Sequence, residues 1–490
     1  PSTWDHVDIM GVAPGTASLK LYGARLGVGT VRDIPFDPRG PVGDAGVAVV
    51  EAYCENALLT TWELYRALEG QVALRVALGA IYGADLRSTS DAGIAERVVL
   101  SEVRRLGGRP FRGEVQDGYT FRLRDPGDII SVSPVLRSLL AEFLTAGFSV
   151  NSQGRTTLPK GLEGRAVRVG AGTYRLGIGG IHSTESCRTL RSDASASLVD
   201  LDVASYYPSI ILRQRLAPKA LGDRFLRVYQ TLVERRLAAK RAGARVAADS
   251  LKIVVNASFG KLGSRYSPLY APDLFTQVTV CGQLYLLMLV ERLEAVGIPV
   301  VSANTDGVVA LCPADRRGAL DDVVWGWQMD TSFELEATEY RLLASRDVNS
   351  YVAVGIDGRV KRKGVLARPG LAKNPMFPVV ADAVVEHLST GTPVGEVVRR
   401  RGDLRDFASC RRVTGGASWR GESLGKVVRW YLSTDVPRSE CIRYETNTNR
   451  VPDSDGGRPC MVLPDALPGD VDLARYVGMA EDLLAAVGAV

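Results

Sequence analysis

Apolar residues recur every three or four positions through residues 47–68 and again through 95–106, the spacing that aligns them along one side of an α-helix. The N-terminal part therefore reads as α-rich. Residues 166–181 and 197–203 instead alternate apolar with polar and gather β-branched side chains, so strands are predicted there, with Gly179-Gly180 as a turn. Residues 221–262 carry two amphipathic runs broken around Ala242-Gly243, which predicts a helical hairpin, and residues 299–311 read as two short strands around a turn. After about residue 375 helices are expected again, with basic patches at residues 399–401 and 411–412. The pattern predicts a multi-domain chain of mixed α/β and α+β class.

A chain of 490 residues exceeds what one core usually spans, so several packed units are expected. Turn-rich stretches at residues 33–46, 126–128 and 451–458 are the candidate junctions. The longest apolar run, residues 278–290, is interrupted by Thr279, Gly282 and Gln283 and falls short of the roughly 20 residues a bilayer span requires, so no membrane partner is expected. With 46% hydrophobic and 23% charged residues the chain is neither disordered, collagen-like nor a coiled coil. A net charge of +5 suits a polyanion partner without demanding one. Seven scattered cysteines with no CxxC pair argue against a disulfide framework and a zinc or iron–sulfur site, and point to a reducing cytoplasm. The chain opens on Pro1 without a signal segment and reads as trimmed upstream.

In Val199-Asp200-Leu201-Asp202-Val203, acids alternate with apolar residues, so a strand would bury Val199, Leu201 and Val203 and turn Asp200 and Asp202 to its other face. It runs into Ser205-Tyr206-Tyr207-Pro208, where proline suits the first turn of a helix whose free amides face the same place. An edge strand with solvated acids would give the same pattern. Further on, apolar strands flank Asn304-Thr305-Asp306-Gly307, and Asp306-Gly307 is a dipeptide favoured where a tight hairpin needs positive φ. Asp306 is then an exposed tip, as in many ordinary hairpins. Brought together, the two carboxylates would make a hard oxygen site for magnesium, and paired metal ions serve phosphoryl transfer. Between them, Arg236 and Lys240 stand four apart, as do Lys252 and Asn256, so each pair shares a helix face. Packed antiparallel, these helices would converge on an anion such as a nucleotide triphosphate. Solvated surface charge, with Glu234 as local counter-ion, is the plainer alternative.

Taken together, these segments resemble the polymerase module of family B DNA polymerases, most closely its compact bacteriophage branch. Asp202-Val203-Ala204-Ser205-Tyr206-Tyr207-Pro208-Ser209-Ile210 is similar to the family's DxxSLYPSI motif, and Lys252-Ile253-Val254-Val255-Asn256-Ala257-Ser258-Phe259-Gly260 to its KxxxNSxYG motif. Asn304-Thr305-Asp306-Gly307 stands where the family has DTDS. Gly179-Gly180-Ile181-His182 resembles the YxGG/A element, and Tyr351 with residues 361–364 the later KxY region. The resemblance implies a right hand of palm, fingers and thumb with a remnant of a 3′–5′ exonuclease domain. Residues 1–110 would be the exonuclease-like part, 111–220 a linker and the first part of the palm, 221–262 the fingers, 263–375 the rest of the palm and 376–490 the thumb. It further implies a DNA-templated DNA polymerase that extends a primer with deoxynucleotides in the cytoplasm of a bacterium or a phage-infected host.

On that resemblance Asp202 and Asp306 would be the catalytic acids holding two magnesium ions, with manganese as a substitute and the Val203 carbonyl assisting. Arg236, or Arg235 one register away, would hold the triphosphate with Lys240 and Lys252. Asn256 would line the nucleotide pocket, and Tyr207 would be the steric gate against a ribose 2′-hydroxyl. Phe259 and Gly260 would face the nascent base pair. Primer–template DNA would be held by Gly179, Gly180, Tyr351, Lys361 and Lys363, and by a thumb cluster of Lys426, Arg429, Trp430 and Tyr431. A partly buried helix with snorkelling cations would give the same cluster.

The sequence also departs from the family. Asn304 replaces the first acid of DTDS, Phe259 a tyrosine, and Asn349 the KxY lysine. Tyr53-Cys54-Glu55-Asn56-Ala57 matches the exonuclease motif YxxxD except that Ala57 stands for the metal-binding acid, and no DxE pair precedes it. Proofreading is therefore expected to be absent. Asn304 also keeps open a weak or inactive relative that binds primer–template as a structural replication component. A protein-primed or primer-independent polymerase is disfavoured by the short stretch between Ser209 and Lys252. No clamp-binding motif stands out, so a processivity partner stays undefined.

Overall fold

The computed structural model describes residues 5–34, 39–110, 118–130, 133–162 and 164–489. Pro1, and residues 35–38 of the turn-rich 33–46 stretch, lie outside the described residues. The chain forms two compact units, residues 73–361 and residues 1–72 with 362–490. Neither break falls in a turn-rich stretch: one lies inside the helix Asp44–Tyr82 and the other inside the strand Val360–Arg362. Residues 73–110 belong to the central unit, where the apolar face of helix Asp91–Arg105 packs on helix Arg245–Leu262.

The central unit is built on a ten-stranded sheet among the described residues. The strand Ala196–Val203 sits near its middle, antiparallel to Leu335–Asp347 on one side and to Gly307–Pro313 on the other. It earns that place through its alternation: Val199, Leu201 and Val203 enter the main core, and Asp200 and Asp202 take the opposite face. The helical hairpin is Asp223–Arg241 followed by Arg245–Leu262, turning at Gly243 with φ +67° and tied by the Tyr229 hydroxyl donating to the Val255 carbonyl at 2.9 Å. The apolar run thought too short for a bilayer lies in the 24-residue helix Pro272–Ala295, which is long and apolar enough to cross one by length and composition. Here it is the core helix, with 89% of its most apolar stretch buried.

The second unit corrects the expectation of helices after residue 375. Helices Pro378–Thr390 and Leu473–Ala486 pack together, but between them lies a four-stranded sheet among the described residues whose spine is Ser409–Trp419 against Glu422–Leu432. The alternation is hidden because Gly415 and Gly416, both at positive φ, put an irregularity between Arg412 and Ala417. All seven cysteines are free, so no crosslink contributes to either unit.

This sheet also overturns Arg429 as a DNA contact. Arg429 is 2% exposed, and its guanidinium donates to the carbonyls of Val28, Gly29 and Cys460 at 2.8, 2.9 and 2.9 Å. Trp430 and Tyr431 are buried beside it, whereas Lys426 is exposed. A strand, unlike a helix, turns these neighbours into a core rather than spreading them on a surface. Arg429→Met is expected to take a donor from the Val28 and Cys460 carbonyls, while Gly29 keeps the Leu463 amide at 2.7 Å, and to cost about 3 kcal/mol, read as a lower urea midpoint, with the DNA affinity of the folded protein unchanged.

Candidate active site

The two acidic segments meet through strand register. Gly307 pairs with Asp202, so Asp306, the residue before it, stands at the hairpin tip beside that acid. The Val203 amide donates to the Asp306 carbonyl at 2.8 Å. The turn is not built as the Asp-Gly dipeptide suggested. Asn304 pairs with Gly307, so Thr305 and Asp306 form the loop, and the positive φ, 31°, is at Thr305. Gly307 is needed for room instead, since a Cβ there would lie 2.2 Å from Asp202 Oδ1. Gly180 meets the same demand from the other side, where a Cβ would lie 2.7 Å from the Thr305 Cα. The Gly179-Gly180 turn thus buttresses the tip, leaving Gly179 exposed. Asn304 braces it too, donating to the Val348 carbonyl at 3.2 Å and accepting from the Thr305 hydroxyl at 2.9 Å.

Asp202 and Asp306 line a cavity of about 600 Å³. Val203, Tyr207, Arg236, Lys240, Lys252, Asn256 and Phe259 line the same cavity, so helical spacing brings the two cationic faces and the amide to the carboxylates. Arg236 rather than Arg235 faces it: Arg236 donates to the Ser205 hydroxyl, while Arg235 lies 3.7 Å from Glu102. Gly260 is exposed and outside the lining. The Tyr207 ring lies 4.3 Å from that of Phe259, which stacks on Phe275 at 4.9 Å. One lining residue has no signal in local spacing. Glu336 pairs with Asp202 across the sheet, and its carboxylate holds Lys240 at 2.6 Å.

Over 121 residues the chain is 27% identical to DNA polymerase 1 of Saccharolobus solfataricus and 26% identical to DNA polymerase 1 of Sulfurisphaera ohwakuensis. The similarity is to DNA polymerases. The matched stretch is 24% of this chain and spans only 14% of the length of either relative. Among solved structures, the family B DNA polymerase of Pyrobaculum calidifontis aligns over 91% of this chain and 57% of its own length, at 16% identity and a TM-score of 0.46. No family model matches the chain.

Within the cavity the acids are not equivalent. Burial, followed by the Asp200 charge, pushes the Asp202 carboxyl up to about 6, with Lys361 pulling against them and Asp306 adding to the rise. Asp200 is buried, accepting from the Tyr340 hydroxyl and from Lys361 Nζ at 3.0 Å, and Lys361 also reaches Asp202 at 3.5 Å. Lys361, expected as a DNA contact, is thus engaged by these two carboxylates. Burial opposes its charge, but the two carboxylates outweigh that and hold the ammonium well above the ordinary lysine range. Tyr351 packs half-buried against the apolar cluster of Leu198, Tyr340 and Leu343, and Lys363 is exposed.

Among the described residues no three His, Cys, Asp or Glu side chains gather into a metal cage. Two carboxylates at an open cavity are nonetheless a donor set that magnesium takes when substrate phosphates and water complete its octahedron. The residues present fit that ion. Tyr53 and Ala57, the residues compared above with the exonuclease motif, lie one turn apart on helix Asp44–Tyr82, where they border a different cavity.

Proposed function

We propose that the chain is a magnesium-dependent, DNA-templated DNA polymerase of family B, of the bacteriophage-like branch and inactive as an exonuclease. The observation that carries the reading is the single cavity joining Asp202 and Asp306 to Arg236, Lys240, Lys252 and Asn256. Magnesium held by the two carboxylates and the Val203 carbonyl, when bound, supplies charge stabilisation at the attacking and leaving oxygens of phosphoryl transfer. The cationic helix faces bind the triphosphate and orient it; Lys240 exchanges Glu336 for phosphate, and Arg236 gives up the Ser205 hydroxyl. Tyr207, backed by Phe259, excludes a 2′-hydroxyl. The exposed Gly179, Lys363 and Lys426 remain strand contacts in this reading.

Asn304 favours a second reading, a weak or inactive relative that holds primer–template without extending it. Extension of a labelled primer with magnesium and deoxynucleotides separates them. A product ladder supports the polymerase, and binding without extension selects the structural role.

Lys361 competes with the metal for Asp202 on this reading, so two substitutions are expected to act in opposite directions. Asp200→Asn frees Lys361 to pair with Asp202 and raises the half-saturating magnesium concentration, whereas Lys361→Met lowers it, each by roughly three- to tenfold. Magnesium titrations followed by thermal shift, without DNA, check this; shifts of the same sign would refute the competition.

A further inference from the structure

Helix Asp44–Tyr82 packs one side into a small core, where Leu64, Leu68 and Val72 meet Ile9, Val12 and Tyr22, all within residues 1–72. A helix with one buried side is expected to turn polar residues outward. This one does not. Leu58, Leu59 and Trp62 are 71%, 55% and 57% exposed and lie within two turns of one another, a contiguous apolar patch rather than scattered surface residues. With Glu51, Glu55, Arg66 and Glu69, which are also exposed, they recur at intervals of three and four residues and so form one stripe along the helix. The Trp62 ring stacks on that of Tyr65 with centroids 5.9 Å apart, which restricts it before anything binds.

We propose that this stripe pairs with the same stripe on a second copy of the chain, the two helices running antiparallel about a two-fold axis between Leu58 and Leu59. The charges are self-complementary about that point. Glu51 precedes Leu58 by seven residues and Arg66 follows Leu59 by seven, so each faces the other across the axis and the dimer gains the ion pair twice. Leu58 then meets Leu59 of the partner subunit, and Glu55, which mirrors Trp62 in the same way, comes within a turn of the partner subunit's Arg66. A parallel pairing in register would instead set Glu51 against Glu51 and Glu55 against Glu55, and like charges repel. Arg66 lies 3.6 Å from Glu63 of its own helix, an exposed pair that costs little to exchange. The seam from Glu51 to Arg66 is about 22 Å long, short for a permanent interface, so a reversible dimer with a dissociation constant on the order of 10 µM is expected. The pairing uses neither metal, nucleotide nor DNA, so it stands or falls independently of the polymerase reading.

The test is sedimentation equilibrium of the full chain from about 1 to about 200 µM, in EDTA and without DNA. The wild type is expected to pass from monomer to dimer across that range. Trp62→Glu, which sets a charge at the apolar centre, is expected to weaken association about 100-fold or more, with a melting temperature matching the dilute wild type to show that the unit is intact. Arg66→Glu alone is expected to raise the dissociation constant roughly tenfold, and so is Glu51→Arg, whereas the two combined return it to within about threefold of wild type, because the ion pairs form again with their signs exchanged. A wild type that stays monomeric throughout overturns the proposal. A dimer that Trp62→Glu leaves intact overturns its assignment to this face, and charge reversals that add rather than cancel overturn the antiparallel register.

Discussion

Asp202→Asn is expected to abolish primer extension and, at the same time, to raise the melting temperature of the metal-free protein at neutral pH. The loss follows from the proposed metal site, where an amide cannot replace a charged oxygen and the rate falls by about 10³-fold or more. The gain follows from the surroundings of that carboxylate. Its folded-state value, about 6, is above that of an unfolded aspartate, so its contribution to stability is full below about pH 4 and is lost as pH rises through 6. At pH 7.5 the charged group is burdened by partial burial and by Asp200 and Asp306, and Asn carries neither burden. Melting curves in EDTA between pH 4.5 and 7.5 should therefore show wild type falling relative to the variant. Protons also compete with metal at this oxygen, so the half-saturating magnesium concentration of wild type should climb below pH 6. A variant that extends primers at the wild-type rate would remove the acid from the chemistry, whatever its melting temperature.

What could be read from the chain and what could not differ in physical kind. The burial of Val199, Leu201 and Val203 was legible because a two-residue period has only one face to bury. The shared faces of Arg236 with Lys240 and of Lys252 with Asn256 were legible because helical spacing is local. Glu336 was not, since it reaches Asp202 only through the pairing of strands far apart in sequence. Lys361 looked like a surface cation because nothing near it in sequence reveals the Asp200 and Tyr340 side chains that hold it. The sheet around Arg429 was missed for another reason: two glycines at positive φ interrupt the alternation that marks a strand, and the remaining Arg-rich pattern suits a helix as well.

Tyr207→Ala is expected to admit ribonucleotides, raising the ratio of ribonucleotide to deoxynucleotide incorporation by about 10²-fold. The ring can act as a wall only if it cannot retreat, and the aromatic stack supplies that rigidity: Tyr206 lies 5.9 Å from it, Phe259 lies 4.3 Å away, and Phe259 rests in turn on Phe275 at 4.9 Å. Removing the ring opens the cavity where a 2′-hydroxyl would project, without touching the carboxylates or the cationic helices proposed to hold the triphosphate. Deoxynucleotide incorporation should accordingly fall far less than ribonucleotide incorporation rises. Phe259→Ala leaves the wall standing but takes away its backing, so it should relax the same discrimination by a smaller factor, and combining the two should add little to Tyr207→Ala alone, because both act through one ring. Steady-state kcat/KM for each nucleotide type across the three variants distinguishes this from general damage to the cavity. A loss shared equally by both nucleotide types would show that Tyr207 supports the fold of the site rather than selecting the sugar.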